Sequence, residues 1–342
     1  MIFLNEKHSH YIRGGMKEMK KLAGVFSVLM LLFVLSACGA EEEKAEDKTD
    51  ASTVKAEEIE KTTDTSIEVT DMTGQTVTFD ETPKSVATLS SGDLDMLLAL
   101  GIEVDGRPTV QGPPNKDLEG IAEIGNPHQP NFEKIAEVHP EVLIAAPSFK
   151  QHEANMERQG TKTVYTAANS VEDIQQTIGL FGQLFDKDKE AKTIQNTIAE
   201  QIEKSTADKA DAVKTLLVYG APGTYMVALP NSLSGNLLEL AGGENIASDF
   251  PNEEKYPQYA SLSVEKIIER NPEMVMLITH GEPEAVKAAF EGEMLKNPAW
   301  KNLDAVKAGN VIVLPSHLFG TNPGTKVVEA LDVMKESLGQ VK

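Results

Sequence analysis

One unit is written twice in this chain. Asn131–Ala146 reads NFEKIAEVHPEVLIAA and Ser263–Ile278 reads SVEKIIERNPEMVMLI, which pairs Glu133 with Glu265, Lys134 with Lys266, Ile135 with Ile267, Glu137 with Glu269, Pro140 with Pro272 and Glu141 with Glu273. Each copy predicts a short helix, a break marked by proline and a buried strand. A structural unit repeated at such a distance makes two equivalent halves the natural architecture, and 342 residues leave room for them. The competing explanation is chance likeness between two helix-and-strand segments.

The start of the chain reads as a targeting segment. Lys17, Lys20 and Lys21 precede an apolar run from Leu22 to Leu35, followed by Ser36, Ala37 and Cys38. That run is short for a spanning helix, which needs roughly 20 residues, but it suits the core of a secretory signal. The end of the run resembles a bacterial lipobox, which implies diacylglycerol on the Cys38 thiol and anchoring by acyl chains. A retained single transmembrane helix is the alternative, and translation is expected to begin at Met16 or Met19. Cys38 is the one cysteine, so the fold has no internal disulfide and no site built on several thiolates. Residues 39–65 carry ten acidic and four basic side chains with few apolar ones, the composition of a disordered tether. The formal charge of -21 argues against nucleic acid or an anionic lipid surface as a partner.

Beyond the tether, a hairpin is expected over Ser66–Phe79, turning at Asp71–Gln75. A strand at Ser85–Leu89 leads through Ser90, Ser91, Gly92 and Asp93 into a helix. Further strands are expected at Val142–Ala146, Val164–Thr166, Thr215–Tyr219, Met274–Ile278 and Val311–Leu314, in alternation with helices, which predicts α/β lobes with mainly parallel sheets. From Val171 to about Asp211 there is no proline, and apolar residues keep helical spacing. This reads as one long linking helical segment, or as an ordinary pair of helices within a larger domain. The division is therefore signal 1–38, tether 39–65, N-terminal lobe 66–170, linking segment 171–211 and C-terminal lobe 212–342.

The repeated Glu-Lys-Ile and Pro-Glu unit, once per lobe, resembles the iron-siderophore and cobalamin class of substrate-binding proteins. The resemblance implies two lobes joined by one rigid helix, a ligand in the cleft between them, and a surface glutamate on each lobe that pairs with arginines of an ABC permease. By position these are Glu133 and Glu265. As residues alone, they are equally well read as solvated carboxylates favoured by the start of a helix.

In open α/β sheets, ligands gather beyond the C-terminal strand ends. The loops expected there are Ser90–Asp93, Pro108–Pro114, Gly125–Pro130, Pro147–Phe149, Pro222–Met226, Thr279–Pro283 and His317–Pro323. Two of them carry a histidine, His128 and His280, one per lobe. Heme iron is commonly held by axial His or by His with Met, inside apolar walls with a few donors for the propionates. Ser90 and Ser91 would offer helix-start N–H groups, Tyr225 and Phe319 would stack on the macrocycle, and Met226 and Val110 would fill the remaining space. The stretches EIGNPHQPNFE, THGEPEAVK, APGTYMVA and LAGGENI resemble the IsdE-like heme-binding lipoproteins of Gram-positive bacteria. That resemblance implies His128 and His280 as iron ligands; some relatives use Met with His where this sequence has His with His.

A loop histidine can instead be an ordinary surface residue. His317 is a competing ligand, Tyr225 is a lesser candidate or plain packing against the cleft wall, and His139 and His152 are assigned to a helix break and a peripheral helix. No nucleophile elbow, phosphate loop or paired zinc-helix histidines are present, so no enzyme is expected. The expectation is a monomeric lipoprotein on the outer face of the cell membrane, taking heme from a cell-surface donor for an ABC permease and its ATPase. A ferric siderophore is the runner-up ligand, and its anionic chelate would want more loop cations than Arg107 and Lys150. Zinc or manganese would want more convergent ligands, and a purely adhesive lipoprotein would not need matched lobes.

Overall fold

The computed structural model describes residues 66–110, 116–207, 212–221, 223–279, 283–294 and 296–341. Cys38, the signal and the tether lie outside them, as does His280. The first described element is the expected hairpin, β1 (Ile67–Thr70) and β2 (Thr76–Phe79), paired in register from Ile67 with Phe79 to Thr70 with Thr76. Its turn is organised by Asp71, whose buried carboxylate accepts from Thr73 N (2.8 Å), Thr73 Oγ1 (2.7 Å), Gln75 N (3.0 Å) and, across the chain, Tyr165 N (3.2 Å). An aspartate turn of this kind satisfies backbone donors that the tight bend would otherwise leave open.

The first lobe continues with β3 (Val86–Thr88), α1 (Ser91–Ala99), β4 (Gly106–Arg107), β5 (Ala122–Glu123), a small hairpin β6 (Gly125–Asn126) and β7 (Gln129–Pro130), α2 (Phe132–Val138), β8 (Val142–Ala145), α3 (Glu153–Glu157) and β9 (Lys162–Tyr165). Its five strands lie in the order β5-β4-β3-β8-β9, all parallel. Two helices follow, α4 (Val171–Leu184) and α5 (Asp188–Thr206). The second lobe comprises β10 (Lys214–Tyr219), β11 (Met226–Ala228), α6 (Leu233–Leu240), β12 (Glu244–Asn245), β13 (Tyr259–Ser261), α7 (Val264–Arg270), β14 (Met274–Ile278), α8 (Pro283–Met294), α9 (Asp304–Ala308), β15 (Val311–Val313), α10 (Ser316–Phe319) and α11 (Val327–Leu338). Here the sheet order is β13-β11-β10-β14-β15, with β12 also beside β10. β12, β14 and β15 run parallel to their neighbours, whereas β11 is antiparallel to both β10 and β13.

The repeat is structural down to its caps. Asn131 caps α2 by accepting from Lys134 N, and Ser263 caps α7 by accepting from Lys266 N. Each helix spans seven residues and buries one isoleucine completely, Ile135 or Ile267, which contributes roughly 2 kcal/mol apiece. Each ends on a residue in the left-handed region, His139 (φ 51°) or Asn271 (φ 47°). The proline break is followed by a glutamate that accepts a backbone N–H at the start of the neighbouring strand: Glu141 from Lys84 N, two residues before β3, and Glu273 from Lys214 N, the first residue of β10, both at 3.0 Å.

The stretch expected as one long linking helical segment, with an ordinary pair of helices as the alternative, is an antiparallel helix pair over Val171–Thr206. α4 stops at Phe185 and Asp186 takes φ 55°, so that Lys187 N reaches back to Gly182 O (2.8 Å). This is a Schellman-type end without the usual glycine. Gln175 and Gln195 lock the pair by exchanging bonds with each other's backbone carbonyl. α5 alone, 19 residues long and therefore roughly 28 Å, carries the chain to the second lobe, where Ser205 bonds Asp332 and accepts from Lys335 of α11.

A second tie joins the lobes. Asp95 of α1 accepts from Thr325 N (2.8 Å) and Thr325 Oγ1 (2.6 Å). One turn earlier, Gly92 lies so close to Asn322 that a Cβ would stand 2.2 Å from its Cγ. A continuous apolar core passes beneath this contact, with Leu94 and Leu97 in the same cluster as Val327, Leu331 and Met334. Asp95→Ala leaves the Thr325 N–H without its acceptor and is expected to lower the unfolding free energy by about 2 kcal/mol, measurable by urea denaturation. A change within 0.5 kcal/mol or so, ordinary for a surface position, would show that this tie carries no stability.

Candidate functional site

Because the strands around each sheet centre are parallel, their C-terminal ends share one edge per lobe, and the loops picked out from the sequence hang from those edges. β3 ends into Ser90, which caps α1 by accepting from Asp93 N (3.2 Å). Ser91 opens the helix, half-buried, and the packing of Gly92 on Asn322 brings this helix start against the segment that follows α10. Beneath it, the Asp93 carboxylate is wholly buried and accepts from Thr166 Oγ1 (2.8 Å) at the end of β9. Burial pushes its pKa up to about 6 against the partial relief of the Thr166 and Ser90 hydrogen bonds.

β4 ends into Pro108–Val110, and Val110 is 48% exposed, an apolar side chain without cover of its own. Thr109 N donates to Gly125 O (2.7 Å), tying this loop to the β6–β7 hairpin. His128 stands at the exposed tip of that hairpin. Asn126 shapes the tip by accepting from both His128 N and Gln129 N at 3.0 Å. Gly125, at φ 91°, makes the hairpin possible, since a Cβ there would lie 2.4 Å from Gln129 O. The first lobe thus brings Ser90, Ser91, Val110 and His128 to one edge.

The second lobe is arranged differently from expectation at two aromatics. Phe319 is 6% exposed and belongs to the core shared with α11. Its ring is used in packing and has little face to offer a macrocycle. Tyr225 meets Phe290 edge-on (5.2 Å, 87°), and Phe290 meets Trp300 in turn. The Tyr225 hydroxyl is buried without a partner among the described residues, and burial, then Glu293, raises its pKa, which disfavours a phenolate ligand. Packing is what this ring does here. Met226 is half-buried, opposite Tyr219 on β10. His317 is exposed in α10, beyond β15. β14 ends at Ile278, Thr279 follows it, and His280 is outside the described residues.

The sequence reading passed over Tyr219 and Tyr259, whose rings lie 5.2 Å apart on the core face of the second sheet. Burial raises both pKa values, that of Tyr259 to about 12 with a smaller push from Tyr219, so both stay neutral phenols. The one signal was Tyr219 at the end of a strand. A groove of about 660 Å³ between α5 and α11, lined by Gln201, Lys204, Glu329 and Lys335 among others, contains none of the candidate residues.

Glu133 and Glu265 occupy the same position in the first turn of α2 and α7, and both are exposed. The periplasmic binding protein family matches residues 86–318, from β3 into α10. The chain belongs to that family. As a periplasmic binding protein it is the extracytoplasmic substrate-binding component of an ABC importer, a transport part and not an enzyme. It is similar to the high-affinity heme uptake system protein IsdE of Staphylococcus aureus, 29% identical over 236 residues that make up 68% of this chain and 79% of that protein. The crystal structure of S. aureus IsdE complexed with heme superposes with a TM-score of 0.65 at 26% identity, covering 74% of this chain and 98% of that one. An ABC transporter substrate-binding protein from Listeria monocytogenes gives 0.66 at 24% identity, covering 74% and 98%. The petrobactin-binding protein YclQ from Bacillus subtilis gives 0.64 at 22%, covering 80% and 99%, a likeness of fold alone. The two-lobed α/β architecture expected from the repeat is that of these proteins.

Proposed function

We propose that this periplasmic binding protein captures heme as its cargo, between His128 of the first lobe and His280 of the second, and hands it to its permease for iron acquisition. The observation that carries this reading is the similarity to a heme uptake protein along 68% of the chain, joined to the exposure of His128 at the hydrogen-bonded tip of the β6–β7 hairpin. Ser90 and Ser91 face a propionate with helix-start N–H groups, and Val110 and Met226 supply apolar contact. Phe319 and Tyr225 would line the site from behind. The chain is held at the membrane by lipid on Cys38, with residues 39–65 as the tether. It takes heme from a cell-surface donor and works as a monomer. Glu133 and Glu265 dock on the permease, which is driven by its ATPase.

Titration of the purified protein with hemin, followed by absorption, tests the ligand and its ligation together. The expected result is a stoichiometric low-spin spectrum in the wild type that loses six-coordinate character in both His128→Ala and His280→Ala. A wild type whose spectrum does not respond to hemin would remove heme as the cargo and leave a ferric siderophore as the next ligand to test.

A further inference from the structure

Arg107 is the last residue of β4, at the ligand edge, and it is buried to 9% exposure. A buried guanidinium normally satisfies its donors and its charge completely, and this one does not. Nη2 donates to Glu123 Oε1 (2.8 Å) and Nη1 to Pro108 O (3.3 Å), while Nε is buried with no partner among the described residues. Its one counter-charge among the described residues, Glu123, stands opposite on the edge strand β5 and has 47% of its side chain in solvent. An exposed partner of this kind contributes little and is readily exchanged.

The surroundings connect Arg107 to the candidate ligand residues. Arg107 O accepts from Ile124 N (3.0 Å), and Thr109 N holds Gly125 O, so the strand end bearing Arg107 and the hairpin bearing His128 are bonded on both sides. The other two arginines of the folded part are occupied elsewhere: Arg158 bonds Asn155 beyond α3, and Arg270 pairs with Asp249. In a chain of net charge -21, a ligand with carboxylate arms needs a local cation to offset the field it enters.

We infer that Arg107 is a carboxylate-recognition residue: its guanidinium releases Glu123 and takes a carboxylate of the ligand in a charge-assisted fork. This rests on heme as the cargo, whose two propionates are the carboxylates concerned. The test compares hemin with its dimethyl ester, which keeps the iron and the ring and lacks the charges, in the full chain. Arg107→Gln should weaken hemin binding about tenfold and leave the diester unchanged. Glu123→Gln, which removes the competing carboxylate and leaves Arg107 in place, should tighten hemin binding and again leave the diester unchanged, and it serves if Arg107→Gln does not fold. Equal losses for both porphyrins in Arg107→Gln, or no gain in Glu123→Gln, would overturn the inference while the heme reading stands. A wild type that takes up neither porphyrin would overturn the heme reading, and this inference with it.

Discussion

A protein carrying both Glu133→Lys and Glu265→Lys is expected to capture its ligand as the wild type does and to support no import. The two glutamates are placed alike by construction, each two residues after a capping Asn131 or Ser263 and opposite a fully buried isoleucine of the same helix turn. Each points to solvent, and among the described residues neither accepts a hydrogen bond. In α2, Glu137, one turn further on, is already held by Lys134 at 2.6 Å, so the first-turn glutamate is the one left for a partner on that helix. If the two glutamates meet permease cations as proposed, reversal brings lysine against those cations at both contacts, and like-charge contact at an interface costs several kcal/mol. At about 1.4 kcal/mol per factor of ten, two such contacts remove docking. Each single reversal should leave measurable but reduced transport. Ligand titration of the isolated protein reads the first half of the expectation, and uptake into vesicles containing the permease and its ATPase reads the second. Transport at wild-type rate by the double variant would sink the docking role.

The capping pattern also explains why so much of the fold was legible in the sequence. Asn131 and Ser263, the Glu-Lys-Ile that follows, and the proline before each strand are local signals, and local hydrogen bonds realise all of them. The buried strands read as apolar runs because parallel strands are covered on both faces, as the fully buried β8 and β14 are. Which loops follow the C-terminal strand ends is set by strand direction alone. What could not be read depends on partners distant in the chain. The α4–α5 break has neither glycine nor proline, and Asp186 enters the left-handed region because Gly182 lies against Ala191 of the returning helix. Phe319 and Tyr225 looked like ligand-facing aromatics, yet α11 and Phe290 respectively absorb their rings. Asp93 has the sequence signature of a first-turn carboxylate, normally exposed, and is buried where Thr166, just past the end of β9 and 73 positions away, closes over it.

That burial gives the second large expectation. Asp93 titrates near 6 in the folded protein and near 4 unfolded. The folded state therefore holds the proton more tightly, and between those two values it binds more protons than the unfolded state. The stabilisation due to the protonated carboxyl is complete below about pH 4, declines as the pH rises through 6, and is gone above it. A shift of this size corresponds to roughly 3 kcal/mol. Asp93→Asn keeps an oxygen to accept from Thr166 Oγ1 and carries no titrating group, so the loss of stability between pH 4 and pH 7 should be about 2 kcal/mol smaller in the variant than in the wild type. Urea unfolding at the two pH values measures that difference directly, and each protein serves as its own reference for every other carboxylate. Parallel pH profiles in the two proteins would mean that the Asp93 pocket admits enough water to keep its carboxylate solvated, and the floor beneath Ser90 and Ser91 would then be wet. A flattened profile in the variant means that the start of α1, where an anionic ligand is expected, rests on a dry and nearly neutral base at mildly acidic pH. Helix-start N–H groups act most strongly on an anion where no water screens them.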